Sequence, residues 1–372
     1  MMGKIDKIKV EYVNIVNIKC FEDVKINFDS SGTTLMLGTN ARGKSLILQL
    51  LALGLNEVGR VPFPYNWKKV VKTGKDTGEF EIAVKIVFRH DEPMMNVNLK
   101  FQIDDNDTIA RISGNDDWNA FRDQILILGY GASRNVKLEE PPPYKEMETV
   151  ATLFGENSFL KHIKVSENFK YVSEKFNTIR PLINAVLDKA DSRNKVLLES
   201  YTASSFYFST PSNPDKLIPI EALSEGFKST FVWLFDMIIR AVEMNGDIDD
   251  VSEITGVILL DEVDLHLHPA WQRRILPSLE ETFPNIQFIA TTHSPFVAQS
   301  VKSENLIVLE LDETASSVKV VDKEISSELS YNAMVREIFN IPSPFNYDTE
   351  REMDEFHRLR DAIMKGEEIT QT

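Results

Sequence analysis

Cysteine is nearly missing from this chain: Cys20 is the single one in 372 residues. That excludes an intrachain disulfide, a cysteine-based zinc knuckle and a CxxC hook; Cys20 itself reads as a small apolar residue, buried or half-buried. Long apolar runs are missing too. The two longest candidates, around 46–55 and 231–239, are broken by Gln49 and Asp236, so nothing approaches the ~18 residues of a membrane span. Lys4, Asp6, Lys7 and Lys9 interrupt the opening residues, which argues against the apolar core of a secretory leader. Basic charge is in deficit: 41 Lys and Arg against 57 Asp and Glu leave a formal charge of −16, so the surface as a whole is not built for phosphate backbones. One local basic cluster, Lys68, Lys69, Lys72 and Lys75, keeps a nucleic-acid face open. There is no internal repeat, no low-complexity tract and no sustained heptad pattern for a coiled-coil arm. The expectation is a soluble, cytoplasmic protein with no membrane partner.

The composition that remains, 42% hydrophobic and 26% charged, is ordinary for a globular chain with a real core. Val10, Tyr12, Ile15 and Ile18, then Val24, Ile26 and Phe28, recur at strand spacing. Thr33–Leu37 reads as a buried strand and 46–53 as a helix. A surface excursion over 56–80 is followed by paired strands at 80–87 and 97–103 and a short strand at 125–128. Pro141-Pro142-Pro143 is a rigid break, after which helices are expected at about 158–176 and 181–199. Helices at 227–242 and 270–282, and one starting at 295, then alternate with strands at 257–260, 286–290 and 306–311. Such alternation predicts a parallel sheet with crossovers. In the tail, 348–365, Met353, Phe356, Leu359 and Ile363 share one helical face.

Between the third strand and its helix lies Gly38-Thr39-Asn40-Ala41-Arg42-Gly43-Lys44-Ser45, a G-x-x-x-x-G-K-[ST] phosphate loop. The glycines let backbone N–H groups turn inward around a β-phosphate, and the following helix directs its positive end to the same place. Lys44 reaches the β- and γ-phosphates, and Ser45 offers an oxygen to Mg²⁺. Val257-Ile258-Leu259-Leu260 then delivers Asp261 and Glu262 to the carboxyl edge of the sheet, where open α/β folds bind ligands. Asp261 is suited to hold Mg²⁺ and Glu262 to take a proton from an attacking water. Leu223-Ser224-Glu225-Gly226-Phe227 precedes a helix, with Ser224 placed to cap it and Gly226 able to bring backbone close to an anion. Thr291-Thr292-His293-Ser294 ends another apolar strand and sets His293 at the same sheet edge. His266 and His268, with Asp264 beside them, have the alternation of metal ligands on an extended segment, but no further strong ligand stands nearby.

The order phosphate loop, L-S-x-G, hhhhDE, then a strand ending in T-H-S resembles the ABC-type ATPases, in the branch of SMC, RecF and OLD-type proteins. The resemblance covers residues 1–60 and 215–311 well and the middle loosely. It implies an α/β fold: an ABC-type P-loop ATPase head with a mostly parallel core sheet, an antiparallel β subdomain and a short helical insertion. It further implies ATP and Mg²⁺ as ligands, and a head-to-tail dimer or higher oligomer in which Ser224 and Gly226 contact the γ-phosphate held by a second subunit. His293 becomes a switch histidine, and Leu267-His268-Pro269 a dimer-interface segment. Three departures stand out. The signature reads Glu225-Gly226-Phe227 where transporters have Gly-Gly-Gln. The phosphate loop has Asn40-Ala41 for Asn-Gly. No glutamine follows 125–128, where Tyr130-Gly131-Ala132-Ser133-Arg134 stands.

The expected organisation is a single head over 1–372. Residues 1–134 form a lobe with the phosphate loop and β subdomain, and 135–217 a helical insertion. Residues 218–311 carry signature, acidic strand and histidine, and 312–372 form a helical tail. Long coiled coils do not fit into 135–217, nor a nuclease domain into 312–372. The chain therefore resembles the stand-alone ATPases of Septu and retron-associated antiphage systems, which work beside a separately encoded nuclease. The alternative is a RecF-like repair ATPase that binds DNA across its dimer.

Overall fold

A computed structural model describes residues 4–28, 32–56, 61–62, 70–89, 93–114, 117–132, 149–154, 165–190, 195–202, 205–245, 253–312, 317–321, 334–336, 338–339 and 347–364. The chain divides into two compact units, 1–327 and 328–372.

In the first unit β1 (Ile5–Ile18) and β2 (Phe21–Asn27) form a hairpin, and β3 (Thr34–Leu37) leads to α1 (Lys44–Leu55). Then come β4 (Val61–Pro62), β5 (Gly78–Phe88), β6 (Met95–Ile103), β7 (Thr108–Gly114), α2 (Asp117–Arg122) and β8 (Leu126–Tyr130). The middle holds α3 (Val165–Ala190), β9 (Leu197–Tyr201), β10 (Phe206–Thr210) and β11 (Asn213–Pro219). The last part runs α4 (Glu225–Asn245), β12 (Gly256–Leu260), α5 (Pro269–Gln272), α6 (Ile275–Thr282), β13 (Ile286–Thr291), α7 (Pro295–Ala298), β14 (Leu306–Asp312) and β15 (Ser317–Val321).

These strands make three sheets. β15-β14-β3-β13-β12-β8 is parallel except for the edge strand β15. Its inner strands β3, β12 and β13 are buried along their whole length, which is why they read as continuous apolar runs rather than alternating ones. β2-β1-β5-β6-β7-β4 is antiparallel throughout, and β11-β10-β9 forms a small antiparallel third sheet.

β1 departs from simple alternation for a reason. Its register against β5 slips between Ile5 and Lys7 and between Val10 and Tyr12, so the buried face runs Ile5, Ile8, Val10, Val13, Ile15, Ile18. Tyr12, expected on that face, is only half-buried and donates its hydroxyl to Glu81 at 2.8 Å. At the second slip the peptide groups of Val10 bond the buried Gln287 of β13, N–H to Oε1 at 2.7 Å and Nε2 to the carbonyl at 3.1 Å. A bulge leaves ladder groups without a strand partner, and here that need staples the antiparallel sheet to the parallel one. Gln49, which broke the apolar run of α1, similarly donates to the Leu153 carbonyl at 2.6 Å.

The middle of the chain differs from expectation. In place of helices at 158–176 and 181–199 there is one helix, α3, that passes through Pro181. Proline costs a helix one hydrogen bond, but Ile179, Leu182, Ile183, Val186 and Leu187 bury one continuous face across it. Residues 197–201 are strand, not helix, pinned by Asn184 of α3, which bonds both peptide groups of Leu198 at 2.8 and 3.0 Å. Thus 135–217 carries most of a small sheet besides its helix. The single helix read over 270–282 is two, α5 and α6. Pro277 falls in the first turn of α6, where no intrahelical donor is needed, so the chain restarts its helix just before it. The tail read as helical over 312–372 begins with β15. Pro141–Pro143, Ser133 and Arg134 lie outside the described residues.

The second unit holds α8 (Tyr347–Met364). Met353, Phe356 and Leu359 lie on its surface, Phe356 at 63% exposure; the side chain of Ile363 lies outside the described residues.

Candidate functional site

The phosphate loop turns on left-handed backbone. Gly43 has φ 80 and Ala41 φ 61, the latter at a cost of about 1 kcal/mol for a residue with a Cβ. Alanine therefore keeps the loop form that glycine gives more cheaply. Gly43 also has no room for a side chain, since a Cβ there meets the Phe21 ring at 2.5 Å and the Cys20 sulfur at 2.9 Å. Lys44, at the start of α1, is buried and donates Nζ to the carbonyls of Gly38 at 2.6 Å and Thr39 at 3.2 Å. Burial holds its ammonium below the ordinary lysine value, against the pull of Asp261, Glu262 and Asp264.

Opposite stand the ends of β12 and β13. Thr291 donates Oγ1 to Asp261 Oδ1 at 2.5 Å and accepts from the Glu262 N–H at 2.8 Å. Glu262 has φ 45, a sparsely populated conformation for a residue with a side chain and one that clusters at functional sites. One residue on, Thr292 donates its hydroxyl to Asp264, and the same carboxylate oxygen accepts from the His293 N–H at 3.2 Å. Each threonine of T-T-H-S thus ties one carboxylate of the acidic segment. Ser294 continues the lattice, donating to Gln272 Oε1 at 2.6 Å while Gln272 Nε2 holds the Leu267 carbonyl at 2.9 Å. Burial, with Lys44 nearby, keeps the His293 imidazole below its ordinary value, so the ring is neutral at pH 7.

Asn40–Ser45, Asp261, Glu262 and His293 line one cleft of about 770 Å³. Lys19, Cys20, Val71, Lys72 and Thr73 line it as well; of these only Cys20 and Lys72 stood out in the sequence, and neither as part of this site. They meet there because Lys19 N–H donates to the Val70 carbonyl at 2.8 Å and Lys72 N–H to the Asn17 carbonyl at 2.9 Å, clamping residues 70–73 to the β1–β2 turn. Burial pushes the Cys20 thiol up, in keeping with an unreactive wall residue. Of the basic cluster, Lys72 lines this cleft and pairs with Glu22 at 3.2 Å, while Lys75 is exposed. Lys68 and Lys69 lie outside the described residues.

Ser224 and Gly226 are elsewhere. They line a second cleft of about 620 Å³ with Leu223, His266, His268 and Trp271. Ser224 caps α4, its Oγ accepting from the Phe227 N–H at 3.3 Å. Gly226 is wedged against the 264–268 turn, where a Cβ meets the His266 carbonyl at 2.0 Å, and His266 itself has φ 65. Phe227 packs edge-on to Trp271 at 5.7 Å and Phe208 at 5.1 Å, so the small sheet of the middle segment supports the start of α4. Asp264 and His268 are already engaged, His268 Nδ1 accepting from the Ala270 N–H at 3.3 Å. Gly226→Ala is expected to cost about 1–3 kcal/mol, because the wall it strikes is backbone; thermal unfolding measures the loss.

The oxygens of Ser45 and Asp261, a hydroxyl and a carboxylate in one cleft beside a lysine, suit a magnesium ion that takes few protein ligands and completes its shell with phosphate and water.

A family model described as an AAA domain matches residues 12–222. A second AAA-domain model, whose description points to the AbiEii toxin of type IV toxin–antitoxin systems, matches 153–298. The chain is 28% identical to the Septu protein PtuA of Bacillus mycoides over 98% of its own length and 51% of that protein. It is 25% identical to the Retron Vc95 probable ATPase of Vibrio cholerae over 82% of this chain and 74% of that one. The chain thus spans about half the length of the Septu relative. Among solved structures, an SMC head bound to the C-terminal winged-helix domain of ScpA aligns with TM-score 0.52 at 17% identity, covering 84% of this chain and 96% of that one. The SMC head from Pyrococcus furiosus with an extended coiled coil aligns with TM-score 0.52 at 15% identity, over 90% of this chain and all of that one. These two likenesses bear on the fold, an ABC-type α/β head.

Proposed function

The chain belongs to the AAA-domain family matched over residues 12–222, and from that premise we propose that it binds and hydrolyses ATP in the cleft between α1 and the ends of β12 and β13. One observation carries this reading. Segments far apart in sequence, the phosphate loop, Asp261-Glu262 and His293, line a single cleft. Lys44, freed from the Gly38 and Thr39 carbonyls, opposes the β- and γ-phosphates, and the loop N–H groups cradle them. Ser45 and Asp261 would hold magnesium, which when bound draws charge from the phosphate oxygens. Glu262 takes a proton from water as the water oxygen bonds the γ-phosphorus and the bridging oxygen leaves with ADP. Neutral His293 donates a hydrogen bond to the γ-phosphate. The base end lies toward Cys20 and Val71–Thr73.

Ser224 and Gly226 line a different cleft, which supports a composite site: each subunit's signature serves the nucleotide of a partner in a head-to-tail dimer. The PtuA and retron relatives favour a role in antiphage defence, with ATP-dependent dimerisation controlling a separately encoded nuclease. The repair reading has less behind it, since Lys72 faces the nucleotide cleft and is paired with Glu22.

Lys44→Ala tests the core of this proposal. It is expected to weaken ATP binding at least a hundredfold by removing the charge that opposes the phosphates; about 2.7 kcal/mol corresponds to that factor. Binding of a fluorescent ATP analogue measures it, and unchanged affinity sinks the reading.

A further inference from the structure

We propose that Tyr130 is a positioning residue that fixes α4, and with it the signature, to the strand end bearing Asp261 and Glu262. This rests on the ATPase reading above. Tyr130 is the last residue of β8 and pairs with Leu260 of β12. Its carbonyl accepts from the Asp261 N–H at 2.8 Å, so its main chain touches the catalytic strand end directly. Its side chain runs the other way. The hydroxyl donates to Asp236 Oδ2 of α4 at 2.8 Å, and Arg240 Nε donates to the same oxygen at 2.9 Å. The ring packs against Trp233 of α4 at 5.8 Å.

All three polar residues are buried, Tyr130 and Asp236 at 1% exposure and Arg240 at 8%. Holding α4 against the sheet does not call for a charge here. Its neighbours Phe235, Met237, Ile238 and Ile239 are buried and apolar, and a buried ion pair adds little stability over an apolar pair of equal volume. What the polar triad adds is direction. Apolar contact tolerates a slip or rotation of the helix, whereas a hydrogen bond weakens steeply with angle. Asp236 lies eleven residues into α4 from Glu225, about 16 Å along a rigid rod. A twist allowed at Asp236 is therefore delivered to Ser224 and Gly226, which must meet the nucleotide of the partner subunit. The phosphate loop of the same chain takes no part in the triad, so nucleotide loading is spared.

Tyr130→Phe keeps the ring and the carbonyl and removes one oxygen. Expected is an ATP dissociation constant within twofold of wild type, an unchanged KM and a kcat at least tenfold lower. Ile238→Val, a packing loss on the same helix, is expected to keep the wild-type kcat. In a double-mutant cycle with Ser224→Ala, Tyr130→Phe is expected to add almost nothing further to the loss, because both act through the signature. Should Tyr130→Phe not fold, Asp236→Asn is read in the same cycle. Wild-type kcat in the folded variant, a matching loss in Ile238→Val, full additivity with Ser224→Ala, or ATP binding lost in parallel with kcat each overturn the proposal. A wild-type protein that does not hydrolyse ATP overturns the ATPase reading and this one with it. An active wild type with an equally active Tyr130→Phe overturns the positioning role alone.

Discussion

Glu262→Gln is expected to stop ATP hydrolysis while leaving ATP binding intact. Glutamine preserves the volume of the side chain and cannot accept the proton from water, a contribution worth about 10²–10⁴-fold in rate. The backbone has no reason to move, because the unusual φ of 45 at this position is held from outside the side chain. The Glu262 N–H bonds Thr291 Oγ1, which also holds Asp261. With hydrolysis blocked, ATP-bound subunits accumulate, so a composite site predicts a longer-lived ATP-dependent dimer. Steady-state phosphate release measures the first effect, and gel filtration with ATP and Mg²⁺ the second. Hydrolysis at the wild-type rate removes Glu262 from the proposed role. Lost hydrolysis with no added dimer counts against the composite site.

Mixing two inactive variants should restore activity. Lys44→Ala subunits have a broken phosphate loop and an intact signature; Ser224→Arg subunits have the reverse. Each homodimer carries two broken sites, but a heterodimer carries one intact site, formed by the phosphate loop of the Ser224→Arg subunit and the signature of its partner. If the two sites act independently, the heterodimer recovers about half the wild-type rate. If they act only together, turnover stays low, so ATP-dependent association of the two variants is measured alongside. The structural ground for this experiment is that Ser224 and Gly226 open onto a cleft distinct from that of Lys44 and Glu262. A Ser224→Arg protein that hydrolyses ATP at the wild-type rate reduces Ser224 to the helix cap it also forms with the Phe227 N–H.

The parallel core was legible because its strands are buried on both faces and so appear as unbroken apolar runs ending at chemistry-bearing residues, Leu37 before Gly38, Leu260 before Asp261 and Ala290 before Thr291. The antiparallel sheet was legible in outline, but its inward register was not. Tyr12 yielded its core place to Val13 because two bulges shift β1 against β5, and a bulge is set by the partner strand and by Gln287. Residues 197–219 gave no strand reading, since β9 is mostly half-buried and β11 mostly exposed, with little alternation in either; their order comes from Asn184 and from the aromatic packing of Phe206 and Phe208 on α4.

Spacing along the chain was enough to single out Gly38–Ser45, Asp261-Glu262 and His293 as candidates, most of which line one cleft, because each motif is local: a few consecutive residues whose backbone form and chemistry depend mainly on one another. Chain folding in three dimensions decided the rest. It clamped Val71, Lys72 and Thr73 onto the β1–β2 turn, where they line the cleft, and spent the hydroxyls of Thr291 and Thr292 on Asp261 and Asp264. It also parted Ser224 and Gly226 from the phosphate loop and tied α4 to Tyr130 of β8, the strand beside β12, through Asp236 and Arg240. These are contacts between residues tens to hundreds of positions apart. Their geometry follows from how sheets and helices pack, and no local pattern of residues encodes it.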